Sequence, residues 1–213
     1  MKKHILLFSL LCTSLVWPAV AQTNHNNHHN HNQHPQMQGA QPSGKSLYWL
    51  DGTWTNQQKK KLELKSLRGQ IVVIAMIYSS CSSVCPLILE DVKKIEKSLS
   101  SADRGKVTFV LVSFDPQRDN PEKLAQYAQK QGVNRTNWHF LNGKASQVSE
   151  LAALLGVRYQ ATAQGEFIHS NQITLLNAEG EVAYQRPDLK TDLSDFQKKL
   201  KSLLPPMSHQ GHH

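Results

Sequence analysis

Apolar and polar positions alternate along the chain with two periods, which together predict strands joined by helices. Residues 71–78 form a continuous apolar run, typical of a central strand buried on both faces. Residues 107–114 predict a second strand of this kind. A helix is expected from Pro86 onward, because the apolar residues after it recur at the spacing of one helix face, at Ile88, Val92, Ile95 and Leu99.

The rest of the chain continues this alternation. Asn120 followed by Pro121 predicts a helix start, since Asn is a favoured cap and Pro fits the first helical position. That helix is expected to end near Gln131 and Gly132. The other predicted elements are a hairpin over residues 46–55 turning at Asp51 and Gly52, a strand over 138–141, a helix over 146–155 stopped by Gly156, a hairpin of 173–176 with 181–185, and a helix over 192–204.

This order of elements predicts the α/β class. Strands that alternate with helices form a sheet covered by helices, and such folds bind ligands at the carboxyl ends of the central strands. We therefore expect one domain over residues 45–204, with a central mixed sheet, flanking helices and an N-terminal hairpin.

Residues 1–21 have the pattern of a secretory signal peptide. Basic residues at the start precede an apolar run over residues 5–16 that is too short to span a bilayer comfortably, and Ala19, Val20 and Ala21 match a signal peptidase site. Cleavage would make Gln22 the first residue of a protein exported across the inner membrane to the periplasm. An uncleaved signal would instead anchor the protein in the membrane.

Histidine-rich segments flank the predicted domain. Residues 22–44 consist largely of Asn, Gln and His without a charged side chain, so they cannot bury a core and are expected to be disordered. Residues 205–213 form a second tail. Neutral imidazoles bind divalent metals such as Cu(II), so both segments predict loose metal capture. The alternatives are accidental polar tails, or a purification handle at the C-terminus. The residues concerned are His25, His28, His29, His31, His34, Met37, Met207, His209, His212 and His213.

The distribution of charge argues against a nucleic-acid partner. Lysine and arginine number 24 against 16 acidic residues, for a formal net charge of +8. The basic residues are scattered, and they form no stripe interleaved with aromatic residues of the kind that nucleic acid needs. The composition indicates a mildly basic exported protein that is peripheral to the membrane at most.

Two cysteines remain once Cys12 leaves with the signal, and they carry the candidate chemistry. Cys81 and Cys85 follow the predicted strand 71–78, where a sheet of this class places its function. A disulfide between them would close a tiny loop and stabilise the fold by only about 2 kcal/mol, which makes a structural role weak. Pro86 puts Cys85 at a helix N-terminus, where unpaired N–H groups favour a thiolate. Two thiolates prefer Cu(I) or zinc, although the pair alone also fits a redox couple.

Three motifs in order resemble those of the Sco/SenC family. Residues 77–86 (IYSSCSSVCP) resemble the family's cysteine motif, and residues 112–119 (VSFDPQRD) resemble its strand-end motif. His169, between Ile168 and Ser170 and followed by a strand and an Asn-x-x-Gly turn, resembles its metal-binding histidine. From spacing alone His169 could equally lie on a surface hairpin tip. His139 competes with it but sits inside the predicted strand 138–141, where a structural role is expected.

The resemblance implies a thioredoxin-like copper protein that helps to load the dinuclear CuA site of cytochrome c oxidase. It implies one copper ion per chain, as Cu(I) or Cu(II), held by Cys81, Cys85 and His169. The implied partner is the copper subunit of the oxidase or another cuproprotein. The resemblance also places Asp115 near the site, where its alternative role is to cap the adjacent turn.

This sequence departs from the family pattern in three places. Many members have Pro where this chain has Ser82, and many have Asp where it has Ile168. Members usually keep an N-terminal membrane anchor, whereas this chain is expected to be released. None of these departures removes a ligand.

Two other functions stay open from the sequence. A thiol–disulfide oxidoreductase would use Cys81 and Cys85 as its redox pair, alone or while also loading the client with metal. Against it, the spacing is CxxxC rather than CxxC, and residues 170–172 contain no proline where thioredoxin-type enzymes place a cis-proline. Copper sequestration would instead rely on the histidine-rich tails as the main binding capacity.

Overall fold

The computed structural model describes residues 44–189 and 192–205. The predicted signal peptide, the histidine-rich segment up to residue 43 and the tail beyond residue 205 lie outside the described residues. Within the described ranges, none of the helices combines the length and the apolar character needed to cross a membrane.

A seven-stranded mixed sheet forms the centre of the fold, in the order β2-β1-β5-β4-β3-β8-β9. β4 runs parallel to β3 and β5, whereas β8 runs antiparallel to β3. A separate two-stranded sheet pairs β6 with β7. The strands are β1 Trp54–Asn56, β2 Lys61–Leu62, β3 Ile71–Ile77, β4 Val107–Ser113, β5 Trp138–Asn142, β6 Tyr159–Ala161, β7 Phe167–His169, β8 Ile173–Leu176 and β9 Val182–Arg186.

In the part of the chain that the structure describes, five α-helices connect and flank these strands. They are α1 Cys85–Lys97, α2 Ser101–Arg104, α3 Pro121–Lys130, α4 Ala145–Leu155 and α5 Ser194–Leu203. The sequence signals at the helix ends are confirmed, since the Asn120 side chain accepts a hydrogen bond from the Lys123 N–H at 2.9 Å and Gly156 ends α4 with a φ of 72°. The α/β class with a mixed sheet and flanking helices is therefore confirmed.

The two central strands are buried along their whole length. All seven residues of β3 and all seven of β4 are buried, as their continuous apolar runs predict. Residues Ile77 and Ser113 pair at the carboxyl ends of these strands. The chain therefore leaves β3 and β4 at the same edge of a rigid, fully packed sheet.

The N-terminal hairpin lies further along the chain than the sequence predicts. A 3-10 turn at Leu47–Trp49 replaces the expected strand, because the Ser46 hydroxyl accepts from the Tyr48 N–H at 3.1 Å and the Tyr48 hydroxyl donates to the Leu67 carbonyl at 3.1 Å. The hairpin is formed by β1 and β2 instead. Its turn is held by the Asn56 side chain, which accepts from two backbone N–H groups at 2.9 Å.

Candidate metal centre

The cysteine loop, residues 78–84, joins the end of β3 to the start of α1. It begins with a turn in which the Cys81 N–H donates to the Tyr78 carbonyl at 3.3 Å. α1 starts at Cys85, and the preceding Val84 supplies no side-chain cap. The Cys81 sulfur takes that place, since the Cys85 N–H donates to Cys81 Sγ at 3.4 Å. The sequence around Pro86 thus turns both sulfurs toward the same edge of the sheet.

The β6–β7 hairpin, residues 159–169, brings His169 to this edge. β8 runs antiparallel to β3 and pairs Ile173 with Ala75, so the chain entering β8 lies beside the end of β3. His169 ends β7, a few residues before that entry. Its Nε2 lies 3.6 Å from Cys85 Sγ, and the possible ligand atoms of Cys81, Cys85 and His169 all lie within 4.8 Å of one another.

Two contacts orient the ring of His169. Its Nδ1 lies 3.0 Å from the carbonyl oxygen of Ser170, and a proton on Nδ1 would be donated there. That tautomer leaves the lone pair of Nε2 free on the side of the cysteines. The ring also packs against Phe114, with centroids 4.8 Å apart, which limits its rotation.

The two thiols differ strongly in acidity. Burial by itself raises the pKa of Cys81, but the N–H groups of Cys85, Ser83 and Val84 and the Cys85 thiol donate to its sulfur, and together they lower the pKa to about 6. For Cys85, burial raises the pKa far above the ordinary thiol value, and the negative charge of Cys81 adds to this, against the opposing Tyr78 N–H. The sequence-based expectation that Cys85 is the favoured thiolate is therefore wrong, because the N–H groups at and just before the start of α1 point at Cys81.

The hairpin that carries His169 is tied to the main sheet by polar contacts. The Tyr78 hydroxyl donates to Glu166 at 2.5 Å. Arg118 donates from its guanidinium to the Gly165 carbonyl at 2.6 Å, and lies 5.6 Å from the centre of the Phe167 ring. These contacts hold the hairpin over the cysteine loop.

Asp115 supports the metal centre indirectly, through Arg118. Its carboxylate forms an ion pair with Arg118, whose other end holds the hairpin, and its carbonyl accepts from the Arg118 and Asp119 N–H groups in a turn. The turn-forming role weighed from the sequence is thus present, and the link to the site runs through Arg118.

Asp119 is a site residue that the sequence reasoning missed. Its side chain is fully buried and accepts hydrogen bonds from the Ser79 N–H at 2.8 Å, from the Ser79 hydroxyl and from the Ser113 hydroxyl at 2.6 Å. It thereby joins the end of β4 to the cysteine loop. The sequence signal for Asp119 was its place in the strand-end motif. That motif contains both Asp115 and Asp119, and no spacing rule shows which of the two carboxylates faces Ser79.

His139 lies apart from this cluster. It is half-buried within β5, where it pairs with Val110 of β4, as its expected structural role requires. Within residues 44–189 and 192–205, the group of His, Cys, Asp and Glu side chains placed to share a metal ion is Cys81, Cys85 and His169.

Comparison with known proteins assigns the chain to a family. The family model described as SCO1/SenC matches residues 44–204. The chain belongs to the SCO1/SenC family. The predicted family membership is confirmed, and so is the thioredoxin-like fold.

Individual relatives of this SCO1/SenC chain are distant but match over most of the described region. A SCO1 protein homolog of Bacillus subtilis is 27% identical over 133 residues, which are 61% of this chain and 68% of that protein. The structure of a SCO1/SenC family lipoprotein from Bacillus anthracis is 27% identical with a TM-score of 0.66, covering 75% of this chain and 98% of that one. ScoI of Bradyrhizobium japonicum, solved with copper bound, shares the fold with a TM-score of 0.61 at 24% identity, covering 71% of this chain and 96% of that one.

Proposed function

We propose that this protein binds one copper ion through Cys81, Cys85 and His169 and delivers it to the CuA site of cytochrome c oxidase. The observation that carries the proposal is the convergence of two sulfurs and one imidazole nitrogen within 4.8 Å, from residues as far apart in sequence as Cys85 and His169. Membership of the SCO1/SenC family and the copper held by ScoI support it.

The donor set fits copper. Two thiolates are soft ligands that suit Cu(I), which accepts low coordination numbers, and the imidazole suits either oxidation state. The N–H groups around Cys81 lower its pKa to about 6, which favours the thiolate form that binds copper. Three protein ligands leave a coordination position for a client ligand, so copper can leave by exchange of ligands rather than by release into water. Copper is therefore the cargo in this proposal.

The proposed location is outside the cytoplasm, in the periplasm. The support is the signal-peptide pattern of residues 1–21 and the lipoprotein nature of the Bacillus anthracis relative. The proposed partner is the copper subunit of the oxidase, because the family resemblance implies that client.

Anaerobic copper titration of a reduced chain of residues 44–205 tests the site, since that chain lacks the tail histidines. We expect one tightly bound copper per chain, lost or weakened by at least about tenfold in His169→Ala. His139→Ala is the matched control and should bind as the parent does. Equal binding in all three proteins would contradict the assignment of His169 as a ligand.

Delivery is tested by transfer. The copper-loaded chain is mixed with a peptide that carries the cysteine pair of a CuA site, and copper is measured on each species after separation. Copper should move to the peptide, and a peptide with both cysteines replaced by serine should receive none. Retention of all copper on the protein would contradict delivery.

A second candidate function, reduction of client disulfides, is favoured by the unequal acidity of the two thiols. In that reaction the Cys81 thiolate attacks a client disulfide, which forms a mixed disulfide and releases one client thiolate. Cys85 then gives its proton to the client thiolate released in the first step, directly or through water, and attacks Cys81, which forms the Cys81–Cys85 disulfide and releases the second client thiolate. Copper-free reduced protein should reduce the disulfide form of the same peptide. If it does not, the disulfide-reduction function is contradicted and copper delivery stays as the single proposed function.

A further inference from the structure

A groove of about 420 Å³ opens beside Cys81, on the side formed by α3 rather than by the β6–β7 hairpin. Cys81 is among its lining residues, and one face of α3 forms its wall, with Lys123, Gln126, Tyr127 and Lys130 at helical spacing. A groove of this size is in the range of small-ligand sites.

The groove is positively charged. Lys123 and Lys130 are exposed on its wall, and none of the ion pairs found among the described residues involves either of them. The residues that line the groove include no acidic side chain. The nearby carboxylate of Asp119 is already engaged with the cysteine loop.

Tyr127 adds an unsatisfied polar group to this groove. Its side chain lines the groove yet is only 7% exposed, and its hydroxyl has no hydrogen-bond partner among the residues that the structure describes. The hydroxyl oxygen is itself buried in the free protein, so a small rotation of the Tyr127 ring on binding would present it to an acceptor, and the new hydrogen bond would recover the free energy that the unpartnered group costs. The groove therefore combines two unpaired cations, a donor without an acceptor and a thiol.

We propose that this groove binds a short acidic segment of the client protein, with carboxylates against Lys123 and Lys130, an acceptor for the Tyr127 hydroxyl, and a cysteine beside Cys81. This inference rests on the proposed delivery function and names the kind of segment that receives the copper. Lys123 and Lys130 are seven residues apart, or about 10 Å along the helix axis. A segment in the polyproline II conformation rises about 3.1 Å per residue with three residues per turn, so two carboxylates three positions apart lie on one face about 9 Å apart and match the two lysines.

The geometry also explains which sulfur the client meets first. Cys81 lines the groove, whereas Cys85 is fully buried behind it. The residues that line the groove include neither His169 nor any other residue of the β6–β7 hairpin, so a segment seated along α3 would reach Cys81 without displacing the hairpin.

The test measures binding of two fluorescent peptides to the reduced, copper-free full chain by anisotropy at low salt. The acidic peptide has two glutamates three positions apart on either side of one cysteine, and the neutral peptide has glutamines in their place. We expect the acidic peptide to bind about tenfold more tightly, which corresponds to 1.4 kcal/mol and fits two exposed charge pairs. The preference should shrink at high salt.

Three variants locate the binding. Lys123→Gln combined with Lys130→Gln should abolish the preference, whereas Lys198→Gln combined with Lys199→Gln, a pair on the exposed face of α5, should retain it. Tyr127→Phe should weaken binding of the acidic peptide several-fold without lowering the melting temperature, because its hydroxyl makes no hydrogen bond in the free protein.

Equal affinity for both peptides, or a preference that survives loss of both groove lysines, would overturn the proposal. Unchanged binding by Tyr127→Phe would overturn the placement of an acceptor on the hydroxyl. Copper titration of the same proteins keeps the two claims apart. A chain that prefers the acidic peptide but binds no copper supports the groove while contradicting copper delivery.

Discussion

The buried carboxylate of Asp119 offers the sharpest test of how the metal centre is built. Replacement by Ala removes an acceptor of three hydrogen bonds, from the Ser79 N–H, the Ser79 hydroxyl and the Ser113 hydroxyl. Hydrogen bonds to a charged group contribute about 1.5–3 kcal/mol each, but the sum overstates the effect, because the two hydroxyls can rotate to other acceptors and burial of the charge is relieved. The Ser79 N–H cannot rotate away, and leaving it unsatisfied costs about 1–3 kcal/mol.

We therefore expect Asp119→Ala to lower the free energy of unfolding by about 3 kcal/mol, measured by urea unfolding of the reduced, copper-free protein. Asp119→Asn is the matched control. It keeps an oxygen for the Ser79 N–H and nearly the same volume, so about half of the loss should be recovered. Because the charge of Asp119 is among the causes that raise the pKa of Cys85, both variants should also lower that pKa.

The same variant tests the link to metal binding. Ser79 precedes Cys81 by two residues, so loss of its anchor frees the loop that positions both sulfurs. Copper affinity should fall by about tenfold in Asp119→Ala and by less in Asp119→Asn, as is typical for groups that orient metal ligands. Unfolding and copper titration curves that match those of the parent would refute the reasoning, because they would mean that the cysteine loop holds its shape without this carboxylate.

Three further predictions concern single positions. The rate of Cys81 alkylation by iodoacetamide should rise with pH around a midpoint of about 6, the value to which its pKa is lowered, while buried Cys85 stays unreactive. Mass spectrometry across a pH series checks this, and a midpoint near 9 would contradict it. Tyr78→Phe should cost about 1 kcal/mol in urea unfolding, since it loses one hydrogen bond to the β6–β7 hairpin but keeps its ring. Gly143→Ala should lower the free energy of unfolding by about 1–3 kcal/mol in the same assay, because a Cβ there would lie 2.4 Å from the buried Trp54 ring. Unchanged stability would show that the ring can move.

Local patterns predicted the rigid part of the fold. The apolar runs of β3 and β4 and the Asn-Pro start of α3 depend on short-range sequence signals and on full burial, so they could be recognised without a structure. The strand pair β6–β7 was not predicted as such, because its residues are half-buried or exposed and form no apolar run. Its existence depends on contacts with residues distant in sequence, such as Tyr78 and Arg118.

The candidate ligands came from motifs, whereas their chemistry required the structure. Residue type and motif order identified Cys81, Cys85 and His169 as candidate ligands, but spacing alone did not predict where the segment that carries His169 lies in the fold. The sequence also assigned the thiolate to the wrong cysteine. Both sulfurs lie at the start of α1, and only the fold shows that Cys85 is fully buried while the N–H groups point at Cys81.

The three candidate ligands are held with unequal rigidity, and this inequality bears on copper transfer. Cys81 and Cys85 lie between a fully buried strand and a helix, in a loop fastened by the carboxylate of Asp119. His169 lies on a two-stranded hairpin whose residues are half-buried or exposed, and elements with few buried contacts open at the lowest free-energy cost. Since a ligand on such an element is the easiest to withdraw, we expect the imidazole to leave copper before either sulfur. On the proposed delivery route, a small movement of the hairpin would then free a further coordination position on copper, in addition to the one that the client enters from the side of α3, while the two sulfurs keep hold of the cargo.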